Sequence, residues 1–327
     1  MLTITHTHEA GTLIDGTSRG DGTADVLKAN RWRWGRSIAA WYVPHSRDRL
    51  PNLHTITRTA DALRQAGFTV DVDVDRTHRT TAAVEADKIA RQDDRVAALD
   101  AKAERKTAAA DAAWDAERRA LDRLPEGGEP IKIGHHSEHR HRNAIAKAHN
   151  ATGRAIAATD DADTARARAA SAAATTDARY NPVTVANRIE KYAADIRRLD
   201  RERISPVYDD TAGYVPATPD QISRRTARTE PRRAELVDQL VYWESVRAEQ
   251  IAAGTATGYD RNTVQKGDRV KVRGSWREVV RVNQKTVSLT TGYSWTDTTP
   301  YAEIQQLTTA ADWEAAAAAA ATKTHAG

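Results

Sequence analysis

From Ala82 to Leu124 the chain runs for 43 residues without a glycine or a proline, and 15 of those residues are alanine. Such a stretch has few options besides helix, because alanine has the highest helix propensity and nothing in the run breaks the hydrogen-bond ladder. Ile89, Val96, Ala103 and Ala110 recur every seven residues, with Leu99 and Ala113 at the complementary step, which is an Ala-rich heptad seam. A helix with so narrow an apolar stripe needs a partner. Pro125, Gly127, Gly128 and Pro130 end it, and a second long helix is expected from Ser137 to Ala174, with Gly153 as a point of interruption. An antiparallel hairpin is the economical arrangement, and pairing across a homodimer is the alternative.

The remainder of the chain predicts an α+β protein. Residues 1–80 read as a small α/β module. It has β-like runs at Leu2–His6, Thr12–Ile14 and Ala39–Val43, a short helix at Thr23–Ala29, and a helix from Leu53 to Ala66 that stops at Gly67. Phe68, Val70, Val72 and Val74 then alternate with Thr and Asp, the pattern of a strand with one buried face. Residues 81–204 form the helical hairpin and coiled-coil region with a His-rich turn. Within it Asn181-Pro182 is a cap followed by proline at the first helical position, ahead of a seam through Val185, Ile189, Tyr192, Ile196 and Leu199. Ser205 to Pro219 reads as a linker, and residues 219–253 as a helix with Leu236, Leu240 and Trp243 on one face. Residues 264–308 carry short strands at Arg269–Arg273, Trp276–Val282 and Thr286–Thr290, closed by Thr298–Ile304, as expected for a small SH3-like barrel. Residues 309–327 read as an Ala-rich tail, a polyalanine run that frays after Trp313.

Composition removes several kinds of chemistry. There is no cysteine, so disulfides, thiolate metal sites and Cys nucleophiles are excluded. The first residues lack the basic and apolar regions of a signal peptide, and no apolar run is long enough to cross a membrane, so a cytoplasmic protein without membrane partners is expected. The net charge of +4 is small, but it is unevenly spread. Arg19 to Arg49 holds seven basic and three acidic residues, and Lys132 to Arg154 holds five basic residues, one acidic residue and five histidines. The rest of the chain is therefore net acidic. These two segments are where an anionic partner would be met.

In the first segment, Arg31, Trp32, Arg33, Trp34 and Arg36 are followed by Trp41, Arg47 and Arg49, with Arg19 upstream. Guanidinium groups take phosphates and flat indoles stack on bases, so cations interleaved with tryptophans suit a DNA or RNA strand. A strand with Trp32 and Trp34 facing a core and Arg31 and Arg33 facing water has the same spacing. The Gly-rich run from Gly11 to Gly22, ahead of a short helix, could cradle a phosphate on backbone amides, although it matches no nucleotide-binding fingerprint and simple turns also explain it. In the second segment, His135, His136, His139 and His141 fall within seven residues, with Glu138, Arg140 and Arg142 among them. Neutral imidazoles with a carboxylate can hold a divalent metal such as Zn or Mn, and His6 and His8, two apart on a strand, could complete a set with His135, His136 and His139. Alternatively His136, Glu138 and His141 could act as acid and base on a phosphodiester held by Arg140 and Arg142. A solvated cationic surface that only contacts phosphate is the third reading.

The blocks Ile4–Leu13, Gly16–Gly22, Leu27–Trp34, Trp41–Asp48, Gly134–Arg142 and Tyr180–Ile189 resemble the domain-of-unknown-function family 3560, over most of residues 1–203. That resemblance implies no activity; it implies an accessory protein of a plasmid, phage or integrated element. The arrangement of Leu27-Lys28, Arg31-Trp32 and Trp41–Pro44 is also loosely similar to a small DNA-engaging module beside annealing-helicase motors. The expectation is therefore a nucleic-acid-binding accessory protein. A metal-dependent phosphodiesterase or nucleotide-processing enzyme and a dimeric coiled-coil scaffold are the alternatives.

Overall fold

A computed structural model describes residues 1–125 and 128–324, and Gly127, one of the expected helix breakers, lies outside the described residues. The chain divides into two compact units, Glu85–Tyr180 and the remainder. The architecture is mixed α+β, with long helices and small sheets.

The N-terminal module contains β1 (Leu2–Thr7), β2 (Gly11–Asp15), α1 (Thr23–Ala29), β3 (Arg33–Gly35), β4 (Ala40–Tyr42), α2 (Leu53–Gln65) and β5 (Val70–Val74). Its sheet has the order β3-β4-β2-β1-β5, antiparallel except for the β1–β5 pair, and α2 carries the chain from β4 across to β5 at the opposite edge. Leu2, Ile4, Ile14, Leu27, Trp32, Ile56, Ala60, Leu63 and Val70 form the core. The expected buried face of β5 is only partly realised. Val70 is buried and Val74 packs against the core, but Val72, between them on this edge strand, is 37% exposed.

The second unit is an antiparallel hairpin of α3 (Thr81–Leu121) and α4 (Glu138–Arg179). Cross-helix bonds fix the direction: Arg179 to Glu85, Gln92 Nε2 to the Ala172 carbonyl, Lys106 to Asp161, and Thr152 to Glu117. Ala103 and Ala110 are buried on α3, as the heptad predicts. On α4, Ala148, Ala155, Ala162 and Ala169 repeat every seven residues, and Ala151, Ala165 and Ala172 fill the second heptad position; all are buried. Gly153 does not interrupt α4. A mid-helix glycine costs about 1 kcal/mol relative to alanine, and the continuous seam on either side outweighs it.

The first unit also holds α5 (Pro182–Ile204) and α6 (Pro219–Ala252), which pack together through Arg203 on Thr229 and Glu230, Arg233 on Asp200, and Arg188 over Trp243. Asn181 caps α5 by accepting from the Val183 amide, as the Asn-Pro sequence predicts. The expected linker between these helices is instead partly ordered as a hairpin of β6 (Val207–Asp209) and β7 (Gly213–Val215), because the Asp209 side chain accepts from the Thr211 and Ala212 amides and closes the turn.

At the C-terminus β8 (Arg269–Val272), β9 (Ser275–Val282), β10 (Thr286–Thr290), β11 (Thr296–Pro300) and β12 (Gln306–Thr308) make an antiparallel sheet of order β11-β10-β9-β8-β12. No ladder joins β11 to β12 among the described residues, so the sheet is open where a closed barrel was expected. The expected closing segment Thr298–Ile304 is divided, since Pro300 ends β11 and a 3-10 turn at Tyr301–Glu303 leads into β12. The tail opens with α7 (Ala310–Thr324), where Thr309 caps the Asp312 amide and Trp313 packs on Trp276. No described helix is long and apolar enough to cross a membrane.

Candidate nucleic-acid interface

The two tryptophans of the Arg/Trp block part company at Arg31. Helix α1 ends at Asn30, and the Arg31 amide bonds to the Lys28 carbonyl while the Trp32 amide bonds to the Leu27 carbonyl. That pair of bonds is a Schellman C-cap, which requires a left-handed residue at its centre. Arg31 takes that role with φ 66°, where glycine is the usual occupant. The turn drives Trp32 into the core, 2% exposed, with its indole N–H donating to Thr59 Oγ1 at 3.0 Å. Trp32 is therefore structural and cannot stack on a base. The expectation that Trp32 and Trp34 share one core-facing strand fails because β3 starts only at Arg33.

Trp34 and Trp41 lie directly opposite each other in the β3–β4 pair, so they share a face of the sheet. Their rings meet edge to face, 5.8 Å apart at 69°. Trp41 is half-buried against the core, while Trp34 remains 46% exposed at the sheet edge. Together with residues 17–20, Thr23 and Ala24, the two indoles line a cavity of about 340 Å³. The Arg/Trp block and the Gly-rich run thus converge on one site.

The Gly-rich run is not a phosphate cradle. The Asp21 carboxylate accepts from the Ser18 amide at 2.7 Å, the Thr23 amide at 2.9 Å and the Thr23 hydroxyl at 2.6 Å. The Thr23 hydroxyl first, and then the two amides, hold the Asp21 carboxyl below its ordinary value, so it stays ionised where a phosphate would have to sit. An Asp that bonds the amide two residues on makes an Asx turn, and the Asp21-Gly22-Thr23 sequence carried that signal.

The arginines surround this edge. Arg19 lines the cavity, Arg31 sits at the α1–β3 junction, and Arg33 points to the sheet face opposite Trp34. Arg36 lies in the β3–β4 turn, and Arg47 and Arg49 in the loop after β4. All six are exposed, and none has a carboxylate partner among the described residues. The loop carrying Arg47 and Arg49 is pinned down: Ser46 Oγ accepts from the Thr12 amide, and the Asp48 amide donates to the His8 carbonyl. Gly11, with φ 82°, makes this possible, since a Cβ there would lie 2.6 Å from Ser46 Oγ and 2.8 Å from the Arg47 nitrogen. Four of the five described non-glycine residues with positive φ, Arg31, Ala39, His45 and Asp48, fall in this 18-residue stretch, the concentration of backbone strain expected at a binding edge.

His6 and His8 do not project together from one strand, because β1 ends at Thr7 and His8 begins the following turn. Both are buried. His6 Nδ1 lies 2.8 Å from Thr12 Oγ1, and burial pushes its imidazole below the ordinary value, against the opposing effect of the Arg49 backbone. His8 Nε2 is 3.7 Å from the buried Glu235 of α6, whose other carboxylate oxygen is held by Arg232.

His135, His136, His139 and His141 lie in the other unit, at the α3–α4 turn. Ser137 stands at the N-cap of α4 without a capping bond; its hydroxyl contacts His135 Nδ1 instead. The His136 ring lies against that of His135, with centroids 4.0 Å apart and planes tilted by 40°, and His139 contacts Asn143. Glu138 closes the turn, accepting from the Gly134 amide at 2.7 Å and from Arg142 at 2.9 Å, and those bonds, the amide foremost, lower its pKa. Arg142 is thereby engaged, whereas Arg140 is exposed without a carboxylate partner. Arg140, His139 and His141 line a cavity of about 600 Å³ with Arg123, Lys147 and Glu129. No hydrogen bond links His136, Glu138 and His141 to one another, and no three His, Asp or Glu side chains among the described residues are grouped as metal ligands. Of the expected metal set, His6 and His8 lie in the first unit and His135, His136 and His139 in the second.

Residues 87–206 match a family model. The family is described as DUF3560, a domain of unknown function. The DUF3560 match covers the hairpin from the second turn of α3, and α5, so it includes the His-rich turn and leaves the Arg/Trp block outside. No curated protein and no solved structure matches this chain.

Proposed function

We propose that this protein binds nucleic acid through the edge of its N-terminal sheet, as an accessory protein of a mobile element. The supporting observation is a set of six exposed guanidinium groups with no carboxylate partner among the described residues: Arg19 in the wall of the Trp34–Trp41 cavity, and Arg31, Arg33, Arg36, Arg47 and Arg49 along the segment that carries the two tryptophans. Elsewhere in the chain arginines such as Arg179, Arg203, Arg232 and Arg233 are spent on carboxylates. An arginine without a carboxylate offers a planar fork to phosphate at no cost in broken ion pairs. Arg140, on the DUF3560 hairpin, adds a second phosphate contact on the same principle.

The C-terminal sheet fits an SH3-like module. Its first strand, β8, lies between the second and the fifth, and a 3-10 turn precedes the fifth, which supports that reading. The test of the main proposal is the affinity for fluorescently labelled oligonucleotides across a salt series. Binding should weaken steeply with salt, and Arg31→Ala with Arg33→Ala should reduce both affinity and salt dependence. Undetectable or salt-independent binding contradicts it.

A further inference from the structure

We infer that the cavity between Trp34, Trp41 and the 17–20 loop receives an unstacked base, so the nucleic acid bound at this edge is single-stranded; this rests on the proposed nucleic-acid binding and specifies its substrate.

Three features of the site carry the inference. The first is its electrostatic layout. Positive charge at the cavity comes from Arg19 in its wall and from Arg36 in the turn that joins the two tryptophan-bearing strands. The Ser18 amide of the loop and the Thr23 amide at the start of α1 are already bonded to the ionised carboxylate of Asp21. A phosphate is therefore drawn to the Arg19 and Arg36 guanidinium groups and repelled by the Asp21 carboxylate, so the neutral part of a nucleotide is what the space beside the indoles admits. The second is shape. A volume of about 340 Å³ bounded by two indoles lies at the small end of the range for small-ligand pockets, which suits one flat ring system. A paired duplex keeps its ring faces stacked on neighbouring pairs and presents only their edges, so the indole faces have nothing to stack on until a base is turned out.

The third is rigidity. Trp41 is anchored against the core, Trp34 is held opposite it by the β3–β4 ladder, and the 17–20 loop is tied by the Ser18 amide to Asp21. A preformed aromatic wall loses little side-chain entropy when a base arrives. Stacking on an aromatic wall accepts any base, so the site should show little sequence preference.

The experiment compares binding of the full chain to a twelve-nucleotide oligothymidylate and to a twelve-base-pair duplex, for wild type, Trp34→Ala, Trp34→Phe and the Arg31→Ala plus Arg33→Ala double variant. Wild type should prefer the single strand. Trp34→Ala should lose roughly five- to a hundredfold in affinity for it, while duplex affinity changes less than about twofold. Trp34→Phe, which keeps a stacking face, should recover most of the loss and so separate the ring's role from any effect on folding. Equal affinity for both nucleic acids, or a Trp34→Ala variant that binds the single strand as wild type does, overturns the inference. If the arginine double variant is still impaired in that case, nucleic-acid binding stands without the base pocket. If the double variant binds normally as well, both readings fall.

Discussion

Replacing Trp32 and Trp34 one at a time separates the core from the interface within three residues. Trp32 is 2% exposed and its indole N–H is bonded to Thr59, so Trp32→Ala leaves a cavity among Leu27, Ile56, Ala60 and Leu63. Large-to-small changes of this kind cost about 3–5 kcal/mol. Trp32→Phe keeps part of the volume and loses the hydrogen bond; since Thr59 still donates to the Thr55 carbonyl, about 1–2 kcal/mol is expected. Trp34 is 46% exposed and touches mainly Trp41, so Trp34→Ala should cost less than about 1 kcal/mol, the value of a partly exposed aromatic pair. Urea unfolding followed by far-UV circular dichroism measures all three. The order Trp32→Ala, Trp32→Phe, Trp34→Ala is predicted for loss of stability, and the reverse order for loss of oligonucleotide binding relative to stability. Equal destabilisation by Trp32→Ala and Trp34→Ala would refute the division.

Arg31→Gly should stabilise the fold by roughly 1 kcal/mol, because glycine adopts the left-handed C-cap without the Cβ penalty, and should at the same time weaken oligonucleotide binding; denaturation and binding assays on one variant check both signs. Glu85 is buried and takes a two-pronged bond from Arg179 at 2.5 and 2.6 Å, with Lys88 as a further partner. Burial would raise its pKa, but these cations more than offset that and hold it low. Glu85→Gln should therefore destabilise the hairpin by about 2–3 kcal/mol, the lower side of the range for a broken buried pair because Arg179 is 27% exposed. The wild-type pair should contribute stability above the ordinary glutamate pKa and lose it as pH falls through the depressed folded value, read as a steeper acid-side loss of helix signal than in the variant. His6 has a lowered folded pKa, so the unfolded chain binds the proton first: stability is complete above the ordinary histidine value and falls as pH drops below it. His6→Asn should flatten that part of the pH–stability curve in thermal unfolding.

Where sequence pattern and packing agree, the structure was legible in advance. Helix α1 spans Thr23–Ala29 as expected, α2 stops ahead of Gly67, Asn181-Pro182 starts α5, and the alanine heptad of α3 faces the α4 seam. The failures share a physical cause. Parity on a strand assigns faces only if the strand exists, and the Schellman turn at Arg31 removes Trp32 from β3; an arginine in a glycine role gives no compositional sign of that turn. The β6–β7 hairpin and β12 are three-residue strands, too short for any alternation to register. The site itself was half visible. The arginines and tryptophans stood out, but that residues 17–20 form the facing wall of their cavity depends on tertiary placement, as does the diversion of Glu138 to the Gly134 amide and Arg142.

The account stands or falls on phosphate contact by the unpaired arginines. The decisive measurement is the slope of log affinity against log salt for a single-stranded oligonucleotide, in wild type and in Arg31→Ala plus Arg33→Ala. Each phosphate neutralised on a single strand contributes about 0.7 to that slope, so the double variant should bind more weakly and with a slope shallower by about 1.4. A wild-type protein that binds without salt dependence, or a double variant with an unchanged slope, would contradict it.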